Sequence, residues 1–557
     1  MRFQSRHTSV IVRFQLQNNS FKKCLIVIMK KIKYITVASL LVVKSLFAAE
    51  MEYATPESQG VSSESILAWI NACEKAFSAW DGSGAVHGFV ILRNGKTIAE
   101  GSWKPFNTLE ETHMLYSHSK SFTSTAIGFL VDEGKLDIDE RVLEIFPELT
   151  PTNVTENLKA MRVRDLLTMN AGAKKDHRIA NYEDWARKFF EKELQNKPGC
   201  SFKYDSDATY MLAAIVEKRS QEKLMDYLDK RLFKKIGIEK AWSTTSPQGI
   251  ACGGWGMNMT TREMARFGLC YLQNGMWDGK NVIHPQWVQL ATARHTFSGW
   301  RNVGVRALGE GSDWEQGYGF QFWRCRNNGY RADGAAGQLT LVYPDYNLVV
   351  SVNAGLGNMQ KEIDLVSENI LSNLSSSPLK ENPKALKKLN DKISSLEISP
   401  AKGDLKGIEK FLDKEFSILK NHRGIKSVKL YKKGDNIRLV FKVNDEVNDI
   451  PVGLGAWAEG EMRFDNLKGE TLGALLGSQK VMTSGAIQED GSYKLRTYLT
   501  GTTFYIDLNF KVEVVQESTD KAATQKIATK VQKDKVNGDI KVEGILWGMN
   551  GTKFSSR

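Results

Sequence analysis

The chain has 557 residues, of which 41% are hydrophobic and 25% are charged, an ordinary globular composition in a chain too long for one typical domain. This composition excludes disordered, collagen-like and disulfide-scaffold proteins, and no long apolar run indicates a polytopic membrane protein. Nine of the 76 basic residues lie within residues 1–49, which contain no acidic residue. The rest of the chain contains 67 basic and 64 acidic residues, which gives it a net charge of only +3. We therefore expect no nucleic-acid-binding surface.

The first 49 residues have the layout of a secretory signal that starts at an internal methionine. Met29 precedes a lysine-rich stretch at 30–33, an apolar stretch at 35–43 and a small-residue exit at 45–49. The apolar stretch is too short for a spanning helix, and a retained N-terminal anchor is the alternative. We therefore expect a secreted or periplasmic protein with no stable membrane span after processing.

The cysteines and histidines give no pattern for a metal site. Beyond residue 49 the cysteines are odd in number and lack CxxC or Cys/His spacing: Cys73, Cys200, Cys252, Cys270 and Cys325. Buried apolar thiols are the favoured interpretation, and one disulfide pair is the alternative. No HExxH occurs among the eight histidines, so neither a metal nor another cofactor is predicted.

Residues 56–374 mix strand and helix patterns. Residues 86–96 predict a β-hairpin arm with an Asn-Gly turn, and residues 337–352 predict a second apolar hairpin. Helical patterns, such as 211–218 and 363–374, lie between or after them. Strands at the two ends with helices between them predict an α+β fold in which distant segments close one sheet.

A polar, proline-containing break at 372–383 separates this part from a second pattern. After a short charged helix, period-2 alternation predicts strands at 427–431, 437–443, 480–486, 493–499 and 503–512. The predicted domains are an N-terminal extension with the signal (1–49), a first domain (50–375), a linker with the short helix (376–399) and a β-rich accessory domain (400–557). We find no catalytic constellation in the last of these.

Ser117 and Lys120 form the first candidate catalytic pair. They are three residues apart at the start of a strongly apolar helical pattern, so they share one helix face within hydrogen-bonding reach. Burial lowers the pKa of a lysine and lets it take or stabilise the serine proton. The Ser-x-x-Lys spacing recurs elsewhere in the chain, so the surroundings distinguish this copy: an aromatic before Ser117 and small or hydroxylated residues after Lys120.

Tyr204 and Ser206 form the second candidate element, at a turn before a helix. They can project a phenol and a hydroxyl into one cleft. A neighbouring lysine lowers the pKa of a phenol, which would make Tyr204 a base. Taken alone, a structural tyrosine in the core or at a helix cap is the alternative.

Together the segments at 116–124, 163–172, 204–206 and 333–338 resemble the β-lactamase-related serine hydrolases. That superfamily holds class C β-lactamases, D-alanyl-D-alanine carboxypeptidases, esterases and 6-aminohexanoate-dimer hydrolases, and the chain looks most like the last two over residues 52–372. The resemblance implies a β-lactamase/transpeptidase-like antiparallel sheet flanked by helices, plus an all-helical subdomain.

The resemblance also implies roles for individual residues. Ser117 is then the acylated nucleophile, Lys120 its activator, and Tyr204 the general base or proton relay, with the division of work between the last two left open. Ser206 takes the last position of the family's Tyr-x-Asn element, where serine is an accepted variant.

The third family element is altered in this chain. Residues 332–334 are Ala-Asp-Gly where penicillin-recognising enzymes carry Lys-Thr-Gly or His-x-Gly. Gly334 still permits close backbone approach, and the amide of Ala335 can pair with that of Ser117 as an oxyanion hole. Ala332 cannot hold a substrate carboxylate, and Arg331 should point to the opposite strand face, so esters or amides without that carboxylate are favoured.

The sequence therefore predicts an exported serine hydrolase that acts on a small-molecule ester or amide. β-Lactamase or D-Ala-D-Ala carboxypeptidase activity is the alternative within the class, and a non-hydrolytic binding or sensor protein is the alternative outside it. The oligomeric state stays open. Pocket walls and core packing explain the nearby aromatic residues equally well: Trp255, Trp300, Trp314, Tyr318 and Trp323.

Overall fold

The computed structural model describes residues 51–173, 179–298, 309–421, 424–464, 477–512, 540–547 and 552–555. Residues 51–557 form one compact unit. In the described ranges no helix combines the length and the apolar character that crossing a bilayer requires. The predicted signal and Trp300 lie outside the described residues.

The described strands are mostly short in the first half of the chain and longer after residue 420. In chain order they are β1 Gly84–Arg93, β2 Lys96–Ser102, β3 His113–Met114, β4 Trp242–Ser243, β5 Met257–Met259, β6 Met276–Trp277, β7 Lys280–Asn281, β8 Trp323–Arg324, β9 Tyr330–Gly334, β10 Gln338–Tyr343, β11 Leu348–Leu356, β12 Glu415–Ser417, β13 Ile425–Lys433, β14 Asn436–Val443, β15 Glu446–Val452, β16 Ala458–Phe464, β17 Gly477–Ile487, β18 Tyr493–Leu499, β19 Tyr505–Val512, β20 Ile540–Trp547 and β21 Thr552–Ser555.

The described α-helices all precede residue 400. They are α1 Ser63–Ala76, α2 Ser119–Asp132, α3 Val142–Ile145, α4 Glu156–Ala160, α5 Val163–Leu167, α6 Trp185–Phe190, α7 Ser206–Ser220, α8 Leu224–Leu228, α9 Lys234–Ile236, α10 Thr261–Leu272, α11 Pro285–Thr292, α12 Met359–Asn369 and α13 Pro383–Ser394. A π-helical turn at Asp229–Phe233 joins α8 to α9.

A six-stranded antiparallel sheet in the order β2-β1-β11-β10-β9-β8 organises the first half of the chain. Its two predicted hairpins are confirmed: Asn94 and Gly95, both with positive φ, turn the chain between β1 and β2, and β10 pairs with β11. The predicted closure by distant segments is confirmed as well, because β1 pairs along its length with β11, with Phe89 opposite Val352.

Both faces of this sheet are buried, which gives three layers. On one face, Phe89 and Ile91 of β1 pack with α1 and α12 in one core. On the other face, Val90 and Leu92 pack with the helices of the middle segment, from α2 to α11. Alternate residues of one strand thus serve two cores. The fold class is the predicted one, an antiparallel sheet flanked by helices with a helical part inserted.

The β-rich part beyond residue 400 is also as predicted. It holds a four-stranded sheet, β12 to β15, and a six-stranded sheet, β16 to β21. Strand β14 shows why these sequences form strands, since every second residue from Ile437 to Val443 is buried and the residues between are not. Five described strands of this part were not predicted: β12, β15, β16, β20 and β21. Strand β15 contains Pro451, which an edge strand tolerates.

The β-rich part packs directly against the first half of the chain. Met114 and Tyr116 belong to its apolar core, and buried Arg496 donates to the carbonyl of Ala79. The helix of the predicted linker, α13, is packed too: Leu389 is buried in the core of α1 and α12. The predicted domain limits at 375 and 400 stay a prediction.

Gly128 gives a test of the packing around α2. A Cβ at this position would lie 2.6 Å from the indole of Trp287, closer than side chains pack. We expect Gly128→Val to lower the free energy of unfolding by about 1–3 kcal/mol through overpacking. Denaturant unfolding measures the change. Gly357→Val is the control, because nothing lies within 4 Å of a Cβ there; equal losses in both variants would contradict the packing argument.

Candidate active site

Ser117 lies in a tight turn between β3 and α2. The turn is a 3-10 helix at Tyr116–His118, and Tyr116 has a positive φ of 49°, rare for a residue with a side chain. Every residue of α2 from Ser119 to Leu130 is buried, so this helix is a fixed base for the turn. Ser117 itself is partly exposed. His118, between the two catalytic candidates, points to the sheet and contacts the Thr340 hydroxyl at 2.8 Å.

The Lys120 ammonium lies at the centre of the site. Its Nζ donates to Ser117 Oγ at 2.9 Å, to Ser206 Oγ at 3.0 Å and to the carbonyl oxygen of Gly254 at 2.5 Å. Lys120 is 1% exposed. A buried charge is expensive to keep unless it is hydrogen-bonded, so these three acceptors hold it in place.

Tyr204 completes the group. Lys120 Nζ lies 4.9 Å from the centre of the Tyr204 ring, and the Ser117 side chain is near enough to the phenol to act on its pKa. The side chain of Asp205 caps α7 by accepting from the amide of Asp207, which fixes where Tyr204 and Ser206 leave the helix start. The structure thus brings Ser117, Lys120 and Tyr204 into one crevice, with Ser206 as a fourth member.

The predicted lowering of the Tyr204 pKa is wrong in its net direction. Burial raises the pKa of Tyr204 above that of an ordinary tyrosine, although the Ser117 side chain acts to lower it. Desolvation penalises the phenolate by more than the surrounding groups stabilise it. In the unliganded site, Tyr204 is therefore a neutral phenol.

The carbonyl of Gly254 was not predicted as part of the site. It follows Gly253, which has a positive φ of 63°, and a Cβ on Gly254 would lie 2.7 Å from the carbonyl oxygen of Ser206. Only glycine allows this loop to approach α7 so closely. The Gly-Gly-Trp-Gly sequence at 253–256 indicates a tight loop. It could not identify Gly254 as the hydrogen-bond acceptor of Lys120, because every residue has a backbone carbonyl.

Lys192 was also missed, and it supports the Tyr204 turn from behind. Its ammonium lies 2.9 Å from a carboxylate oxygen of Asp205 and 2.6 Å from one of Asp207. The three side chains are 4% exposed or less. Burial alone would lower the pKa of Lys192, but the two carboxylates outweigh it and the net pKa is raised. Lys192 touches no candidate catalytic group, so it is a positioning residue.

Gly334 lies directly behind the Ser117 turn, as predicted. A Cβ there would lie 2.0 Å from the carbonyl oxygen of Leu115 and 3.2 Å from the amide nitrogen of His118. Because Gly334 has no side chain, the end of β9 can approach the Ser117 turn closely. The next residue, Ala335, therefore lies beside that turn. This is the backbone approach on which an oxyanion hole made by Ser117 and Ala335 depends.

An arginine and an acid flank Ala332 on β9. Arg331 Nε donates to Asp333 Oδ2 at 2.7 Å, and both lie on the strand face opposite Ala332. Arg331 is fully buried over the Trp314 ring at 4.4 Å, whereas Asp333 keeps a 9% exposed side chain. Burial raises the pKa of Asp333, against the lowering effect of Arg331 and, more weakly, Lys120. Its carboxyl group in turn acts to raise the pKa of Tyr204.

Three of the five aromatic candidates join the Tyr204 side of the crevice. Trp323 stacks on Tyr204 with ring centres 5.6 Å apart, Tyr318 meets it edge-on at 6.2 Å, and Trp314 contacts Trp323. Tyr318 and Trp323 are buried, so they support Tyr204, while Trp314 is partly exposed. Trp255 stacks instead on Trp185.

The cysteine interpretation is confirmed at four of five positions. All five cysteines beyond residue 49 are free thiols; Cys73, Cys252, Cys270 and Cys325 are buried, and Cys200 is exposed. Among the described residues, no group of three or more His, Cys, Asp or Glu side chains is placed to hold a metal ion.

Sequence comparison places this constellation in a known family. The sequence model described as Beta-lactamase matches residues 70–362, more than half of the chain. The chain belongs to the beta-lactamase family. It is also similar to the 6-aminohexanoate-dimer hydrolase of Paenarthrobacter ureafaciens, at 29% identity over 259 residues. That match covers 43% of this chain and 64% of the relative, slightly less than two thirds of its length.

Solved structures similar to this member of the beta-lactamase family include two penicillin-binding protein homologues. The one from Caulobacter crescentus is 17% identical, covers 53% of this chain and 92% of its own, and has a TM-score of 0.43. The octameric one from Pyrococcus abyssi is 16% identical, covers 78% and 97%, and has a TM-score of 0.44.

Lys192 provides a test of how this family member holds its tyrosine turn. Lys192→Met leaves two buried carboxylates without a cation, so we expect a loss of about 3–5 kcal/mol in unfolding free energy at pH 7. The folded-state pKa of Lys192 is raised, so the wild-type stabilisation is fully present below the unfolded pKa of lysine, about 10.4, and is lost as pH rises through the folded value.

Urea unfolding of Lys192→Met and of Lys197→Met measures this effect. Lys197 is an exposed lysine of the same segment and serves as the matched control. The loss in Lys192→Met should shrink as pH rises through the raised folded-state pKa of Lys192, where the wild type loses the same stabilisation. An equal, pH-independent loss in both variants would show that the buried cation contributes nothing specific.

Proposed function

We propose that this hydrolase-family protein is a serine hydrolase that forms an acyl-enzyme on Ser117 and acts on small esters or amides. One observation carries the proposal: a buried ammonium, that of Lys120, lies 2.9 Å from the Ser117 hydroxyl and 4.9 Å from the centre of the Tyr204 ring. Two proton-transfer groups near one hydroxyl are what an activated nucleophile requires. No metal or organic cofactor takes part in the proposed reaction.

In the first half of the reaction, Ser117 Oγ attacks the substrate carbonyl carbon. The reacting form of the Lys120 and Tyr204 pair is the one that has lost a proton, and it accepts the Ser117 proton as Oγ bonds to the carbon. The carbonyl π bond opens, and the carbonyl oxygen becomes an oxyanion. The bond to the leaving group then breaks, and the pair returns a proton to the departing oxygen or nitrogen. The Tyr204 phenol, which burial keeps neutral, is the acid at hand for the leaving group.

In the second half, water attacks the acyl group on Ser117. The water proton passes to the same pair, the ester bond to Ser117 Oγ breaks, and that oxygen regains a proton. The free acid leaves. The backbone amides of Ser117 and Ala335 stabilise the oxyanion in both halves, as the close approach of Gly334 to the Ser117 turn supports.

The substrate is proposed to lack the carboxylate that β-lactams and D-Ala-D-Ala peptides present. Ala332 supplies no cation, Arg331 is fully buried and paired, and the partly exposed group on β9 is the Asp333 carboxyl. A substrate carboxylate would therefore meet a second carboxyl group there and not a cation. Similarity to a relative named for hydrolysis of the 6-aminohexanoate dimer supports a hydrolytic role outside β-lactam chemistry.

Export remains part of the proposal. It depends on the cationic and apolar pattern at 29–49, which lies outside the described residues. Secretion to the periplasm or the medium is the expected result, and N-terminal sequencing of the mature protein would locate the cleavage site.

Fluorophosphonate labelling tests the assigned nucleophile. Ser117→Ala should abolish labelling and turnover, because it removes the oxygen that attacks the probe and the substrate. Ser124→Ala is the matched control on the same helix: its buried hydroxyl has no hydrogen-bond partner among the described residues, so its removal should leave labelling intact. Labelling that persists in Ser117→Ala, with peptide mapping to another residue, would refute the assignment.

Substrate charge gives a second test. We expect p-nitrophenyl butyrate to be hydrolysed with a kcat/KM roughly 100-fold above that of mono-p-nitrophenyl glutarate, which adds a terminal carboxylate, because Ala332 offers that group no cation and Arg331 is already paired with Asp333. Asp333→Asn should narrow this ratio. Nitrocefin, a β-lactam with a carboxylate, should be a poor substrate. Nitrocefin turnover as fast as that of the neutral ester would instead favour the β-lactamase alternative.

A further inference from the structure

The turn between β18 and β19 contacts the segment that leads into Ser117. The carbonyl oxygen of Gly501 accepts a hydrogen bond from the backbone amide of Met114, the last residue of β3, at 2.8 Å. Two residues later in each segment, the hydroxyl of Thr503 meets the phenol of Tyr116 at 2.7 Å, and both residues are at most 3% exposed. The β-rich part of the chain therefore binds the nucleophile turn through backbone and side chain.

Tyr116 needs such support because its backbone is strained. A positive φ in a bulky residue is unfavourable and persists only where the surroundings hold it. The hydroxyl of Ser119, the first residue of α2, donates a hydrogen bond to the Tyr116 carbonyl oxygen at 2.6 Å. The Tyr116 side chain is held by Thr503, from a part of the chain almost 400 residues away.

The turn that carries Thr503 is itself rigid. The Thr502 hydroxyl donates to the carbonyl of Leu499 and accepts from the amide of Phe504, each at 2.9 Å. The backbone amide of Leu499 also donates to the carbonyl of Phe504, and both residues are buried in the core of the β-rich part. A rigid turn can hold the Tyr116 phenol at one position, whereas a mobile loop would follow it.

The other side of the crevice rests on the same core. Ala335, the second amide of the proposed oxyanion hole, packs against the apolar core that contains Tyr116, Phe504 and the strands of the β-rich part. Both backbone segments that must face the oxyanion therefore contact one structure. Small displacements of such segments have large effects on rate.

We propose that Thr503 is a positioning residue for catalysis: through its hydrogen bond to Tyr116 it holds the strained turn that presents Ser117. The inference rests on the proposed serine hydrolase function and gives the β-rich part a role within the reaction. Thr503 touches neither substrate nor the reacting atoms, so it acts through Tyr116 alone.

Thr503→Val in the full chain tests this role, since it removes the hydroxyl and keeps the shape. With p-nitrophenyl butyrate we expect kcat to fall roughly tenfold at unchanged KM, and fluorophosphonate labelling to slow in parallel. Thr503→Ser restores the hydroxyl and should return kcat to within about twofold of wild type. Tyr116→Phe breaks the same bond from the other side, so the double variant with Thr503→Val should fall no further than either single variant.

Thr497→Val is the matched control. Thr497 lies on β18, the strand before the turn that carries Thr503, and its buried hydroxyl accepts from that of Thr483 and does not contact Tyr116. This variant loses a comparable buried hydroxyl pair, so it should lose comparable thermal stability and keep its kcat. Assays run well below the lowest melting temperature of the set separate positioning from unfolding.

Two results would overturn the inference: a wild-type kcat in Thr503→Val, or an equal kcat loss in Thr497→Val. The Ser117→Ala variant keeps this outcome separate from the function itself. If Ser117→Ala is inactive while Thr503→Val is fully active, the serine hydrolase assignment stands and the positioning role fails. If turnover survives in Ser117→Ala, the assignment fails first.

Discussion

One buried ammonium determines how this crevice is built. Lys120 needs acceptors because it has lost its hydration, and it finds them on three separate segments: the Ser117 turn, the start of α7 at Ser206 and the loop carbonyl of Gly254. The same requirement therefore assembles the site, since each acceptor must approach within 3.0 Å. Removing any one of them would leave a buried charge partly unpaired, which is costly in a medium of low dielectric constant.

The surrounding structure keeps these segments in place by different means. Glycine permits the close approach of Gly254 to α7 and of Gly334 to the Ser117 turn. Charge fixes the start of α7, where Lys192 lies between two buried carboxylates. Apolar burial fixes α2, and a hydroxyl pair from a distant turn holds Tyr116. The β-rich part is thereby continuous with the structure around the nucleophile, in keeping with the single compact unit formed by residues 51–557.

Sequence patterns predicted the elements better than their contacts. Strands such as β14 and hairpins such as β1 and β2 follow from local alternation and turn residues, and the structure confirms them. Strand β15 was missed because proline and polar residues mask its alternation, and its place at a sheet edge is what makes that composition acceptable. The pKa of Tyr204 was predicted in the wrong direction, because burial depends on neighbours that no local pattern contains.

The sequence by itself determined the chemistry available: a serine and a lysine on one helix face, a tyrosine at a helix start, and a strand without the family's cation. These follow from residue type and short spacing, which the chain specifies locally. Only the tertiary structure decided that Gly254, Lys192 and Thr503 lie against these elements, because long-range packing brings a carbonyl, a buried ion pair and a hydroxyl from a remote turn to them. Side chains far apart in sequence acquire a shared function only when burial removes water between them.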